Sequence, residues 1–134
     1  MKYKFLEHTA DIMFRAYGKS LEEAFENAGL ALFEIICDTK KVAPIKKREF
    51  TIKAEDLKSL LYDFLENLLY MHETENLLFS KFKVEIRRNS LKCIAWGEEI
   101  KDKHELKMVV KAITYNEMEI KKQKNYILQV VVDI

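Results

Sequence analysis

A chain of 134 residues with 49% hydrophobic content, three glycines and one proline has the size and composition of a single folded domain, residues 1–134, without repeats or low-complexity stretches. Its 23 basic and 22 acidic residues leave a net charge of +1, which excludes a bulk electrostatic drive toward nucleic acid or anionic lipid. Cys37 and Cys93 lie far apart and outside any C-x-x-C pair, which removes zinc-ribbon and thioredoxin-type readings.

The first residues read as two short strands, Tyr3–Leu6 and 12–17, around a polar break at Glu7, His8, Thr9, Ala10 and Asp11. Ile12, Phe14 and Ala16 alternate with Met13, Arg15 and Tyr17, the pattern of a half-buried strand. Ser20-Leu21-Glu22-Glu23 then forms a capping box, where the Ser hydroxyl and Glu carboxylate satisfy backbone N–H groups at a helix start. Leu21, Ala24, Phe25, Ala28, Leu32, Ile35 and Ile36 follow at steps of three and four and predict an amphipathic helix up to Cys37. Residues 38–47, with Pro44, are expected to form a loop.

Phe50 and Ile52 mark a short strand, and Glu55 and Asp56 place negative charge where a second helix begins. Leu57, Leu60, Leu61, Phe64, Leu65, Leu68 and Leu69 give that helix a wide apolar face, and it is expected to end near Asn76. Further strands are predicted over 79–87, 91–96, 107–115, 118–121 and 126–132, with hairpin connections at Asn89-Ser90 and Asn116-Glu117. Two helices early and several strands late define an α+β class: a two-layer sandwich with both amphipathic helices packed on one face of a largely antiparallel sheet.

Several scaffolds for chemistry are missing. The sequence has no Walker loop, G-x-G-x-x-G, G-x-S-x-G or H-E-x-x-H motif, and its three histidines, His8, His72 and His104, are scattered. The basic clusters around Pro44 (Lys40, Lys41, Lys46, Lys47, Arg48) and at Lys121, Lys122 and Lys124 read as solvated residues, because aromatics are not interleaved with them along the chain. A chain this long builds a sizeable core unaided, so a bound metal is expected to serve function rather than folding. No apolar run is long enough to span a membrane and the start lacks signal-peptide order, so a cytoplasmic location and no membrane partner are expected.

Two segments depart from ordinary packing patterns. Residues 7–12 gather two carboxylates and an imidazole between strands, although Asp11 fits a turn that bonds backbone amides as well as it fits a ligand. The chain finishes in an apolar strand followed by Asp133 and Ile134. A desolvated carboxylate there needs a partner, either a lysine or a cation, and the terminal carboxylate of Ile134 adds a second hard oxygen donor.

Taken in order, His8-Thr9-Ala10-Asp11-Ile12, Gly18 through Phe25, residues 60–75, Gly97-Glu98, Val110 through Tyr115 and Val132-Asp133-Ile134 resemble the archease family over nearly the whole chain. Archeases assist the RtcB-type RNA ligase, which joins tRNA exon halves using GTP and divalent metal. The resemblance implies a non-enzymatic activator that promotes guanylylation of the ligase and its repeated turnover, meeting RNA only indirectly through the ligase. It implies a divalent metal, calcium in the first instance with magnesium or manganese as alternatives, on Asp11 and Asp133 with Ile134 adjoining.

The resemblance also places Lys111 in a lysine-bearing strand motif, suited to presenting an ammonium to phosphate or a partner carboxylate. Glu98 and His104 fall in a stretch resembling the family's Gly-Glu and His pattern, and His8 beside Asp11 is a candidate for orienting it. Asn116 stands where the family commonly has His, and an amide cannot titrate near neutral pH. Two other functions compete: a small metal-dependent phosphoesterase, and an RNA or protein chaperone module. The neutral charge balance and absence of an aromatic RNA-stacking signature weigh against RNA binding.

Overall fold

A computed structural model describes residues 1–6 and 11–134. In chain order the elements are β1 (Tyr3–Leu6), β2 (Asp11–Gly18), α1 (Leu21–Ile36), β3 (Lys46–Lys53), α2 (Leu57–Glu75), β4 (Leu77–Arg87), β5 (Ser90–Glu99), β6 (Ala112–Ile113), β7 (Glu119–Lys122) and β8 (Tyr126–Asp133). Ser20 caps α1 by accepting the Glu23 N–H at 3.1 Å, while the Glu23 carboxylate accepts the Lys19 N–H at 3.0 Å. Asp56 caps α2 through the Ser59 N–H at 2.8 Å, and Asn76, in the left-handed region at φ 55°, ends it. Among the described residues no helix is long and apolar enough to cross a membrane.

The α+β class expected from the sequence is the observed one, with two helices packed on antiparallel strands. The strands form two sheets, however, where the sequence suggested one. β1, β2 and β8 are consecutive neighbours and β6 and β7 both pair with the other edge of β8; β3, β5 and β4 make a separate three-stranded sheet. Both edges of β5 are taken by β3 and β4, and both edges of β8 by β2 and β6/β7, so the two central strands have no edge left to share.

The helices fill the space between the sheets. Phe14, Leu128 and Val130 from the larger sheet, Phe25, Leu32, Phe64 and Leu68 from the helices, and Val84, Leu91 and Cys93 from the smaller sheet belong to one continuous core. Phe14, Phe25, Phe33, Phe64 and Phe79 are fully buried, and each such side chain contributes roughly 1.5–3 kcal/mol relative to leaving it exposed.

The segment read as a strand over 107–115 is mostly irregular: only Ala112–Ile113 pairs with β8. Glu105 turns the chain at φ 38°, and Lys107 then donates its N–H to the Ile36 carbonyl at 2.8 Å. This stretch therefore crosses the C-terminal end of α1 before reaching the sheet, and Leu106, Met108 and Val109 remain exposed. The turn at Asn116-Glu117 is not a hairpin either. β6 and β7 run in the same direction along β8, so residues 114–118 are an excursion in one edge strand, standing opposite Val130 and Val131. The chain reverses at 123–125, where the Gln123 N–H bonds the Asn125 carbonyl. At the other anticipated hairpin, Arg88 takes φ 57° and β4 does turn into β5.

Candidate functional site

The register of the larger sheet sets the geometry where β2 begins and β8 ends. β2 begins at Asp11 and β8 ends at Asp133, and their antiparallel pairing runs from Gly18 opposite Tyr126 to Asp11 opposite Asp133. Directly opposed residues project from the same face with Cβ atoms roughly 5 Å apart, so two carboxylates from opposite ends of the sequence stand side by side. The phase is fixed by the core: Ile12, Phe14 and Ala16 pack inward with Val132, Val130 and Leu128, which turns Asp11 and Asp133 to the outer face. Asp11 is half-buried and Asp133 exposed.

Two further candidates flank this pair. On the other edge of β8, Ala112 is the partner of Asp133, and the Lys111 N–H donates to the Asp133 carbonyl at 2.8 Å. Lys111 is exposed between the buried Val110 and the half-buried Ala112, so this short stretch packs on one side and offers its ammonium to solvent on the other. The Ile134 side chain packs against the core and anchors the end of β8 beside Asp133. His8 lies outside the described residues.

Opposed like charges on neighbouring strands destabilise a sheet, and a cation between them reverses that sign. Two carboxylates provide up to four hard oxygen donors, a set suited to calcium, magnesium or manganese rather than to softer metals. Among the described residues no group of three or more His, Cys, Asp or Glu side chains is placed to hold a metal ion. The donor set visible here is thus the two aspartates, and water, backbone or a partner would complete the coordination.

Glu98 and His104 form a different centre. Glu98 is 1% exposed, and its Oε2 accepts the Ala43 N–H at 2.7 Å, His104 Nε2 at 2.9 Å and Lys103 Nζ at 3.0 Å; Lys101 Nζ lies 3.6 Å from Oε1. The Ala43 N–H, followed by His104 and Lys103, holds the carboxyl at about 2 against the opposing effect of burial. The Lys101 N–H donates to His104 Nδ1 at 2.8 Å, which makes Nδ1 an acceptor and leaves the proton on Nε2, facing Glu98. Glu98 Oε2 and both His104 nitrogens are hydrogen-bonded locally and Oε1 faces the Lys101 ammonium, so the pair clamps residues 100–104 and the loop at Ala43 onto β5. Lys101 and Lys103 come from the same loop as His104, whereas the Ala43 amide that completes the centre carries no sequence signal, because it arrives from a separate loop.

Asn116 is exposed in the excursion between β6 and β7, where its N–H reaches Thr114 Oγ1 at 3.3 Å. The preceding Tyr115 stacks on Tyr62 of α2 with ring centroids 4.3 Å apart. The sequence also gave no hint of the pair inward of the aspartates, where Arg15 Nε donates to Gln129 Oε1 at 2.9 Å and the Gln129 amide donates to the Glu117 carbonyl at 2.8 Å. Arg15 and Gln129 are cross-strand partners, so this chain of bonds ties the excursion to the same outer face as Asp11 and Asp133.

A model of the Archease protein family (MTH1598/TM1083) matches residues 3–134. A protein archease from Sulfurisphaera tokodaii is 52% identical, covering 99% of both chains, and one from Methanosarcina mazei is 46% identical over 99% of this chain and 96% of that one. The solution structure of Methanobacterium thermoautotrophicum protein 1598 superimposes with a TM-score of 0.89 at 46% identity, covering 99% of each chain. The α+β fold and the full-length match define one class of protein. This chain belongs to the archease family.

Proposed function

We propose that this protein is an accessory factor for an RtcB-type, GTP-dependent RNA ligase of tRNA splicing, promoting guanylylation of the ligase and multiple turnover. The observation that carries the reading is the register-enforced opposition of Asp11 and Asp133 in a chain of this family. A carboxylate pair at the end of two paired strands suits handing charge, or a divalent ion, to a second protein.

In this reading Asp11 and Asp133 hold the ion, calcium first among the candidates, and the carboxylate at Ile134 adjoins them. When bound, the ion supplies positive charge to phosphate oxygens or to a partner's acidic groups. Lys111, tethered by its backbone to Asp133, supplies a fixed positive charge at the same end of the sheet. Arg15 and Gln129 tie the neighbouring excursion to the sheet face that carries the pair.

The test is guanylylation and multiple-turnover ligation by a purified cognate ligase, with and without this protein and its Asp11→Asn, Asp133→Asn and Lys111→Ala variants. Acceleration by the wild type, lost in both aspartate variants while their circular dichroism is unchanged, is the expected result. Full acceleration by Asp11→Asn together with Asp133→Asn refutes the role given to the pair.

A further inference from the structure

The outer face of the three-stranded sheet concentrates charge that the whole chain does not have. Core packing by Phe50 and Ile52, by Leu91, Cys93 and Ala95, and by Phe82, Val84 and Ile86 fixes the inward phase of β3, β5 and β4. The alternate residues therefore point away from the helices. They are Lys47 and Lys53 from β3, Lys92 from β5, and Lys81, Lys83 and Arg87 from β4, opposed only by Glu49 and Glu85. Six cations face two carboxylates on this face of a protein whose net charge is +1. One of those acids is already engaged, since Lys47 Nζ lies 3.3 Å from Glu49.

At the centre stands Trp96, the only tryptophan in the chain. Lys47 is its cross-strand partner on one side and Lys81 on the other, and Lys81 Nζ sits 5.0 Å from the ring centroid. Ile94 lies next to Trp96 along the same face, paired with Lys83 and Glu49. Along the sequence no aromatic is interleaved with the basic clusters; across the strands one is. In the free protein the Lys81 ammonium lies over the half-buried indole; a base stacking there displaces it toward the adjoining phosphate, so ring and counter-charge are supplied together.

We propose that this face is a docking surface for single-stranded RNA, with one base stacked on Trp96 and the flanking phosphates on Lys47, Lys81, Lys83 and Lys92. Charge complementarity selects a polyanion, and the central indole selects one that carries bases. The proposal is independent of the ligase reading and of the aspartate pair, and its test uses this chain alone.

The test titrates the full chain with a single-stranded, uridine-rich RNA of about twelve nucleotides, reading Trp96 emission and, with labelled RNA, anisotropy. Quenching of Trp96 on binding is expected. With four phosphates contacted, affinity should fall roughly 50-fold between 50 and 200 mM salt. Combined Lys81→Glu, Lys83→Glu and Lys92→Glu substitution should weaken binding by at least ~10-fold, whereas Lys121→Glu, Lys122→Glu and Lys124→Glu on the other sheet should leave it within ~2-fold. Trp96→Phe keeps a stacking ring and should bind within a few-fold of the wild type, and Trp96→Ala should lose roughly 5- to 150-fold.

Three results overturn the proposal. The first is no binding at ~100 µM RNA in low salt. The second is binding that leaves Trp96 emission unchanged or follows the Lys121, Lys122 and Lys124 set. The third is competition by polyglutamate or heparin as effective as that by RNA, which would make the face a site for an acidic protein or any polyanion.

Discussion

Replacing Glu98 by Gln keeps the shape of the buried side chain and removes its charge. In the folded protein the carboxyl is held at about 2, against an ordinary value of 4.5. At ~1.4 kcal/mol per pH unit that difference is worth at most ~3.4 kcal/mol. The ammonium groups of Lys101 and Lys103 are half-exposed, so solvent screens their share, and we take ~2 kcal/mol as the loss on neutralisation at pH 7.

The sign follows from the direction of the shift. A carboxyl depressed on folding stabilises fully above its unfolded value, and the contribution disappears as pH falls from about 4.5 through about 2. Denaturant unfolding followed by circular dichroism should therefore show Glu98→Gln less stable by ~2 kcal/mol at pH 7, shrinking below ~1 kcal/mol at pH 2.5. A deficit that is the same at both pH values would show that packing, and not the carboxylate charge, holds the Ala43 and His104 loops to β5.

Other perturbations probe separate parts of the molecule. Asp11→Asn and Asp133→Asn should each abolish any rise in melting temperature on adding calcium or manganese; retention of the metal-induced shift in both variants would remove the pair as ligands. Burial pushes the thiols of Cys37 and Cys93 up to about 11 and about 12, so neither should react with a disulfide reagent at pH 8 until denaturant is added, and prompt labelling of the native protein would contradict their placement. Gly97→Ala would set a Cβ 1.7 Å from the Leu78 carbonyl oxygen, a backbone atom beside the β4 irregularity, so the variant should lose more than ~3 kcal/mol or fail to fold, and wild-type stability would refute the close approach.

The legible parts of the fold were those decided by local chemistry. The helices announce themselves through the Ser20 capping box and the acidic start at Glu55 and Asp56, where Asp56 proves to be the cap, and through stripes of Leu and Phe that the core then buries. β2 shows its inward phase in Phe14 and Ala16, whereas β8 is legible only as an apolar run, since Val130, Val131 and Val132 are all buried. Residues 107–115 misled because Leu106, Met108 and Val109 carry strand-like apolarity without burying it. The backbone there is committed to the end of α1 through Lys107 and Ile36, a tertiary demand that periodicity does not register.

The same limit applies to function. Asp11 and Asp133 each read as an acid with an ordinary role until strand register places them opposite one another, and the sequence joins them only through family resemblance. Glu98 and His104, carried as candidates by the resemblance, become a self-contained clamp once Ala43 arrives from another loop to join the neighbouring Lys101 and Lys103. Trp96 is the converse case. Lys47 is 49 positions before it and Lys81 is 15 before it, so no window along the chain shows the cluster, yet the pairing of β3 and β4 with β5 brings both lysines against the indole. Because a strand's partners are set by hydrogen bonding and not by sequence distance, charge read as dispersed along the chain becomes a basic, aromatic-centred face on the folded protein. A measured Trp96 response to RNA would establish that the whole-chain charge balance had hidden a binding surface.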